Sequence, residues 1–338
     1  MSDITCEAVE VLCVGAGQPA VGAVSRIVLC HAGSLSGVLR RFDEVTRVSD
    51  FADPILGRHR MASGADDLDL NRPVGIDPNR ASVARVYDYM LGGKDNYEVD
   101  RTTYQQMATA LPEVVDVARE NRAFLTRAVR FIARQTRITQ YLDCGSGLPT
   151  ADNIHQVAQR HERDSKVVYV DNDPVVIAHG QALLAENEFT AFIDGDIFQP
   201  RSILDHPVVG QHLDWTEPIA LFQLATLHHH KGERHQAAEV MGEYIDALPS
   251  GSYVAISHLL DPESEDSAVA SQLSDAVARG SLGGATWRTH DEITELFHGL
   301  ELVPPGVVEL MHWWPDGPKL TPTTVAHRII AGGVARKP

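Results

Sequence analysis

Tyr141-Leu-Asp-Cys-Gly-Ser-Gly-Leu-Pro-Thr150 is a short apolar run that ends in an acid, turns through two glycines and leads into a helix-compatible segment. A second acidic cluster, Asp171-Asn172-Asp173-Pro174, follows one helix and one strand later. Glycine at 145 and 147 lets the chain turn tightly and brings backbone close to a ligand. The second acid is then placed for ribose hydroxyls. A glycine pair alone also fits an ordinary strand-to-helix turn. Order favours the ligand: residues 151–160 carry Ile154, Val157 and Ala158 on one helical face, and Val167-Val-Tyr-Val170 is a β-prone run ending at Asp171. Two strands joined by that helix make a right-handed βαβ unit, which predicts Gly145 and Asp171 at the same carboxyl edge of a sheet.

The residues after the turn select among adenosine-containing ligands. A dinucleotide fingerprint wants Gly or Ala at position 150, where Thr150 stands after Pro149, so NAD is disfavoured. No Gly-Lys-Ser/Thr follows at Walker spacing. Asp143, at the strand end, is a poor neighbour for a pyrophosphate and an acceptable one for a cation. S-adenosylmethionine carries both a sulfonium and an ammonium group.

Four strings occur in order: Ala84-Arg-Val-Tyr-Asp-Tyr-Met-Leu-Gly-Gly-Lys-Asp-Asn96, Asn121-Arg-Ala-Phe-Leu125, Leu142-Asp-Cys-Gly-Ser-Gly-Leu-Pro-Thr150 and Val168-Tyr-Val-Asp-Asn-Asp-Pro-Val175. Together they resemble a family of actinobacterial S-adenosylmethionine-dependent methyltransferases long catalogued as a domain of unknown function. The resemblance runs from about Ile76 to Pro338. It implies a Rossmann-like class I methyltransferase: an α/β fold with a mostly parallel seven-stranded sheet, helices on both faces and an N-terminal helical lid. Residues 76–135 form the lid and 136–338 the core. The implied cofactor is S-adenosylmethionine, with Asp143, Gly145 and Gly147 in the first cofactor loop and Asp171 as ribose ligand. Asp173 is the rival to Asp171, and Asn172 lies between them. Asp196, within Asp194-Gly-Asp-Ile197, is placed at the adenine amino group, with the Ile197 amide donating to the ring. Tyr87 is added as a cofactor contact. Pro149 departs from the commoner loop, because a proline there has no amide to donate.

Composition bounds the rest. With 338 residues and 43% apolar content, the chain can bury an ordinary core and exceeds one minimal nucleotide-binding domain. Forty-six acids against 29 bases give a formal charge of −17, which argues against nucleic acid and anionic membrane surfaces as partners and for a small-molecule acceptor. Cys6, Cys13, Cys30 and Cys144 have neither metal nor disulfide spacing, and Val11–Ser25 is too short and interrupted to span a bilayer, so a cytoplasmic protein is expected. Residues 1–75 lie outside the resemblance and read as a loosely packed or partly disordered extension, with strands near Val9–Val14 and Arg26–Cys30 and a short helix near Leu35–Val45.

Beyond the cofactor loop, Val83, Val86, Tyr87 and Met90 set a helix that Gly92-Gly93 stops. Lys94-Asp-Asn-Tyr97 follows as a candidate lid loop. Asp116–Arg134 is a second amphipathic helix, whose Arg122 either reaches the methionine carboxylate or makes a surface salt bridge. Pro218–Ala225 is a buried-type strand with Thr226-Leu-His-His-His230 at its carboxyl end. His228 is the candidate general base there, or else a strand-end side chain bonded to backbone. No metal is assigned, because neighbours on an extended chain point apart. Gly251–Ser257 is a further strand, Asp266–Ala278 and Trp287–Phe297 are helical, and Leu300–Leu302 with Val307–Met311 form the closing strand pair. Trp313-Trp314 more readily packs the sheet edge than lines an acceptor pocket. The function expected is methyl transfer. A non-catalytic cofactor-binding regulator and an NAD-dependent oxidoreductase are the alternatives, and no oligomeric state is assigned.

Overall fold

The computed structural model describes residues 5–9, 27–31 and 76–338, apart from 151, 185–186, 280–281, 319 and 321. The chain divides into two compact units, Met1–Asp67 and Leu68–Pro338. In the first, β1 (Thr5–Val9) pairs antiparallel with β2 (Ile27–His31). The second strand falls where sequence places one. The first ends at Val9, where Val9–Val14 was expected to begin, and the expected helix at Leu35–Val45 lies outside the described residues.

The second unit begins with three helices, α1 (Val83–Met90), α2 (Glu98–Ala110) and α3 (Val115–Gln135). The core then alternates: β3 (Gln140–Cys144), α4 (Ile154–Gln159), β4 (Lys166–Asp171), α5 (Pro174–Leu184), β5 (Thr190–Asp194), α6 (Pro200–Leu204), α7 (Pro207–His212), β6 (Ala220–Leu224), α8 (Gln236–Ala247) and β7 (Tyr253–Leu259). It closes with α9 (Ser267–Arg279), α10 (His290–Glu295), β8 (Glu301–Leu302), β9 (Val308–Glu309), α11 (Val325–Arg328) and β10 (Ile330–Arg336).

The sheet runs β5-β4-β3-β6-β7-β10-β8, with β9 also on β10. β3 to β7 are parallel and β10 is antiparallel to its neighbours. Seven positions across, mostly parallel and covered by helices on both faces, this is the α/β Rossmann-like fold expected. Every residue of β3 is buried, as a strand covered on both faces should be. Alternation sends Leu142 and Cys144 to one face, where α8 packs Met241, Tyr244 and Ile245, and Tyr141 to the other, against Phe124, Ala128 and Ile132 of α3. Trp313 is fully buried in the second cluster, edge-on to Phe124, so it packs the sheet as expected and lines no pocket.

Strand order reverses between β3 and β6, since β4 lies on one side of β3 and β6 on the other. Ligands of open α/β sheets bind in the crevice outside the carboxyl ends at such a switch point. Over this edge α1 and the start of α3 meet α9 and α11 through Ala81, Val86, Met90, Leu111, Val114, Ala118, Leu273 and Ile329. No helix among the described residues is long and apolar enough to cross a membrane.

Candidate active site

A cavity of about 560 Å³ opens at the switch point. Its wall brings together Asp143, Gly145, Gly147, Asp171, Asn172, Asp173, Ile197, Tyr87 and Arg122, nine of the residues singled out from sequence. Two others, Asp196 and His228, stand outside the wall.

Gly145 and Gly147 have φ of +82° and +64°, a region that L side chains rarely adopt. A Cβ on Gly145 would overlap the Thr226 methyl, whereas one on Gly147 would meet nothing within 4 Å and so project into open space. The loop's amides turn inward rather than toward a ligand: Gly145 and Ser146 donate to Val170 O at 2.8 and 3.0 Å, and Gly147 N to Asp171 Oδ2 at 2.8 Å. The turn therefore supplies close backbone approach and holds the acid of the next strand in place.

Asp171 Oδ1 also accepts from Asp173 N at 2.9 Å, and each oxygen keeps lone-pair capacity for a hydroxyl. Asp173 has a different task. Its Oδ1 accepts from Val175 N at 2.8 Å, capping α5, and its Oδ2 takes the hydroxyl of Ser82, the N-cap of α1. Ser82 was not anticipated from sequence, where it is one polar residue before a helix. Its amide in turn donates to Asp100 Oδ1 at 3.0 Å, and Asp100 holds Arg85 in a buried ion pair at 2.8 Å. The lid is thus tied to the cofactor edge through α1.

Asp143 is 5% exposed, and burial pushes its carboxyl up to about 7 against the lowering pull of Arg122, with Asp171 adding a further rise. Burial also raises Asp171, to about 6, although the amides of Asp173 and Gly147 favour its charged form. Two acids held high beside each other form a site that a cation would relieve. Arg122 lies on the wall, with Nη2 donating to Asp152 O at 3.2 Å. Tyr87 donates its hydroxyl proton to Ala118 O at 3.1 Å and accepts from Asn121 Nδ2 at 3.0 Å.

Asp196 stands beside the wall and not on it. Its carboxylate accepts from Phe198 N at 3.0 Å and Gln199 Nε2 at 3.2 Å, holding the turn whose next residues, Ile197 and Phe198, face the cavity. The lid loop stands off the wall as well. Lys94–Tyr97 contribute nothing to the wall, because Asp88 Oδ2 accepts from Asp95 N at 3.0 Å and Asn96 Nδ2 at 2.8 Å and draws that loop away. Residues from 76 to 87 line the cavity instead.

At the β6 edge, Ala225 adopts φ of 55°, and the chain then enters a 3-10 turn at Leu227–His229. The turn replaces the extended alternation assumed from sequence and brings His229, not His228, to the cavity wall. His228 is 5% exposed, with Nδ1 unpartnered and the ring 4.3 Å from His229 and 5.4 Å from His258. Burial, with the neighbouring rings, holds it well below the usual imidazole range. His229 lies on the wall, and burial lowers it to about 4, so it is neutral near pH 7. Among the described residues no group of three or more His, Cys, Asp or Glu is placed to hold a metal ion.

This cavity suits S-adenosylmethionine in charge and shape: raised acids for a cation, a glycine turn with open space before it, and a switch-point crevice. The sequence profile of a family described as S-adenosyl methyltransferase matches residues 69–338. The chain belongs to this family. Among solved structures, a putative methyltransferase from Thermobifida fusca YX is similar at 39% identity and a TM-score of 0.74, covering 79% of this chain and 99% of that one. A DUF574 family protein from Streptomyces avermitilis MA-4680 is similar at 37% identity and a TM-score of 0.73, covering 78% and 99%. No curated protein matches the sequence. The protein is an S-adenosylmethionine-dependent methyltransferase, with S-adenosylmethionine as cofactor and a methyl acceptor as second substrate. The regulator and oxidoreductase alternatives give way to that assignment.

Proposed function

We propose that this methyltransferase acts on a small-molecule acceptor inside the switch-point cavity, in the cytoplasm of an actinobacterium. The observation that carries the reading is the continuity of one wall from Gly145 and Asp171 to Thr226 and His229, so that cofactor and acceptor share one cavity of about 560 Å³. A formal charge of −17 supports a small acceptor over tRNA or DNA. The origin of the similar structures, Thermobifida and Streptomyces, supports the source.

Asp171 takes the ribose hydroxyls, and Asp143 with Arg122 faces the ammonium and carboxylate of the methionine part. Ile197 lies against the adenine, with Asp196 acting through the turn that carries it. Bound S-adenosylmethionine supplies an electrophilic methyl, which an acceptor lone pair takes in line while S-adenosylhomocysteine leaves. The protein contributes alignment and exclusion of water, which supply most of the rate in such displacements. Neutral His229 replaces His228 as the imidazole beside the acceptor.

Incubation with tritiated S-adenosylmethionine and a cell extract tests the reading. A new labelled compound in the small-molecule filtrate, separated chromatographically from S-adenosylmethionine and its breakdown products, is expected. Label confined to acid-precipitable protein or nucleic acid would exclude a small acceptor.

A further inference from the structure

The carboxylates of the cavity wall are confined to one part of it, where Arg80, Arg85 and Arg122 accompany them. Its acids, Asp77, Asp143, Asp171 and Asp173, come from the start of the lid and from the ends of β3 and β4. The half built on β6 and the segment after α9 contributes Thr226, His229, Lys231 and Leu282, and no carboxylate. Lys231 has no hydrogen-bond or ion-pair partner among the described residues. It is exposed. Its stem runs beside Gly283, where a Cβ would lie in ordinary contact at 3.4 Å from Lys231 Cε and 3.6 Å from Nζ. Phe198 and Leu282 place apolar surface on the same wall.

In a chain with 17 more acids than bases, a lysine without a carboxylate partner on the wall of a substrate cavity is a specificity element. We propose that Lys231 anchors an anionic group of the acceptor, and that the acceptor is a small carboxylic acid with an apolar body and a separate hydroxyl or amine that is methylated. This rests on the small-acceptor reading above. The hydroxyl or amine heteroatom forms the new bond to the methyl carbon as the sulfur–carbon bond breaks. The electron pair returns to sulfur, and the acceptor's proton passes to solvent. The carboxylate stays charged against Lys231, so the product is an acid like the substrate.

The test uses the full chain saturated with S-adenosylhomocysteine and a panel of hydroxy- and aminobenzoates, each paired with its amide. Binding is read by ligand-observed NMR and calorimetry. Acids are expected to bind about tenfold or more tightly than their amides. Lys231→Met should remove the preference and Lys231→Arg should retain it, while the rise in Tm with S-adenosylhomocysteine reports that each variant is folded. Equal binding of acid and amide overturns the proposal. So does a preference that survives in Lys231→Met, or the binding of neither member to a protein that binds S-adenosylhomocysteine. Tritium transfer only into acid-precipitable material would overturn the small-acceptor reading itself, and that outcome is distinct from a failure at Lys231.

Discussion

Gly147 N lies 2.8 Å from Asp171 Oδ2, so the acid proposed for the ribose also holds the glycine loop against β4. Removing the carboxylate therefore takes away two things, the acceptor for the ribose hydroxyls and the partner of a loop amide. Asp171→Ala is expected to weaken S-adenosylmethionine binding by roughly 1.5–3 kcal/mol, about 10- to 100-fold in Kd. Asp171→Asn keeps one acceptor oxygen and should fall between wild type and alanine. Calorimetric titration ranks the three, and equal affinities would remove Asp171 from the site.

Gly145 carries two separable constraints, its φ of +82° and the closeness of Thr226 Cγ2 to where a Cβ would stand. Gly145→Ala should destabilise the protein by about 1–3 kcal/mol through backbone strain and add a steric cost. Thr226→Ser deletes the methyl in the way and keeps the hydroxyl that donates to Gln223 Oε1 at 2.8 Å. The double variant should recover the steric part only. A double-mutant cycle by urea unfolding measures the coupling, and simple additivity would show that Thr226 does not confine position 145.

The parts of the site legible in sequence are those whose geometry follows from strand ends. A β-prone run ending in an acid fixes which sheet edge it reaches, and Asp143, Gly145 and Asp171 line one cavity at that edge. What escapes is set by tertiary partners. Lys94–Tyr97 has the composition of a lid, and only the buried Asp88 carboxylate decides that it folds away. That His229 and not His228 reaches the cavity wall depends on a 3-10 turn that follows a non-glycine residue with positive φ, which no residue type announces. β10 is invisible for the opposite reason. Gly332 and Gly333 lower its strand propensity, yet a Cβ on Gly332 would run into Ile256 O of β7, so close packing of this strand against β7 demands the residue that hides it.

His258, the penultimate residue of β7, has Nδ1 at 2.8 Å from Leu259 O and Nε2 unpartnered, and burial lowers its pKa to about 3. A histidine lowered on folding contributes stability that is complete above its unfolded pKa of about 6.5 and is lost as pH falls toward the folded value. His228 and His229 act in the same sense, while Asp143 and Asp171 oppose them. The contribution is isolated by comparison. Between pH 6 and 4, His258→Gln should lose about 1.4 kcal/mol less per pH unit than wild type. Urea midpoints at several pH values measure this, and parallel slopes would refute it.

Asp143 yields a prediction of opposite sign. Its folded pKa of about 7 lies above the unfolded value of 3.8, so the apo protein holds a proton that the unfolded chain has released across that window. Apo stability from this group is full below 3.8 and declines as pH rises to 7. Asp143→Asn, neutral throughout, should therefore stabilise the apo protein relative to wild type at pH 8, by about 2–4 kcal/mol at roughly 1.4 kcal/mol per unit. Cofactor binding reverses the preference. An ammonium brought beside the carboxyl favours the ionised form, so S-adenosylmethionine must displace the proton below pH 7 and binds more tightly as pH rises from 6 to 8. Proton release on binding, measured by calorimetry in buffers of different ionisation enthalpy, should approach one near pH 6 in wild type and drop substantially in Asp143→Asn, leaving the smaller share due to Asp171. A variant that binds with the same affinity and the same proton release would place the cofactor's cation elsewhere in the cavity.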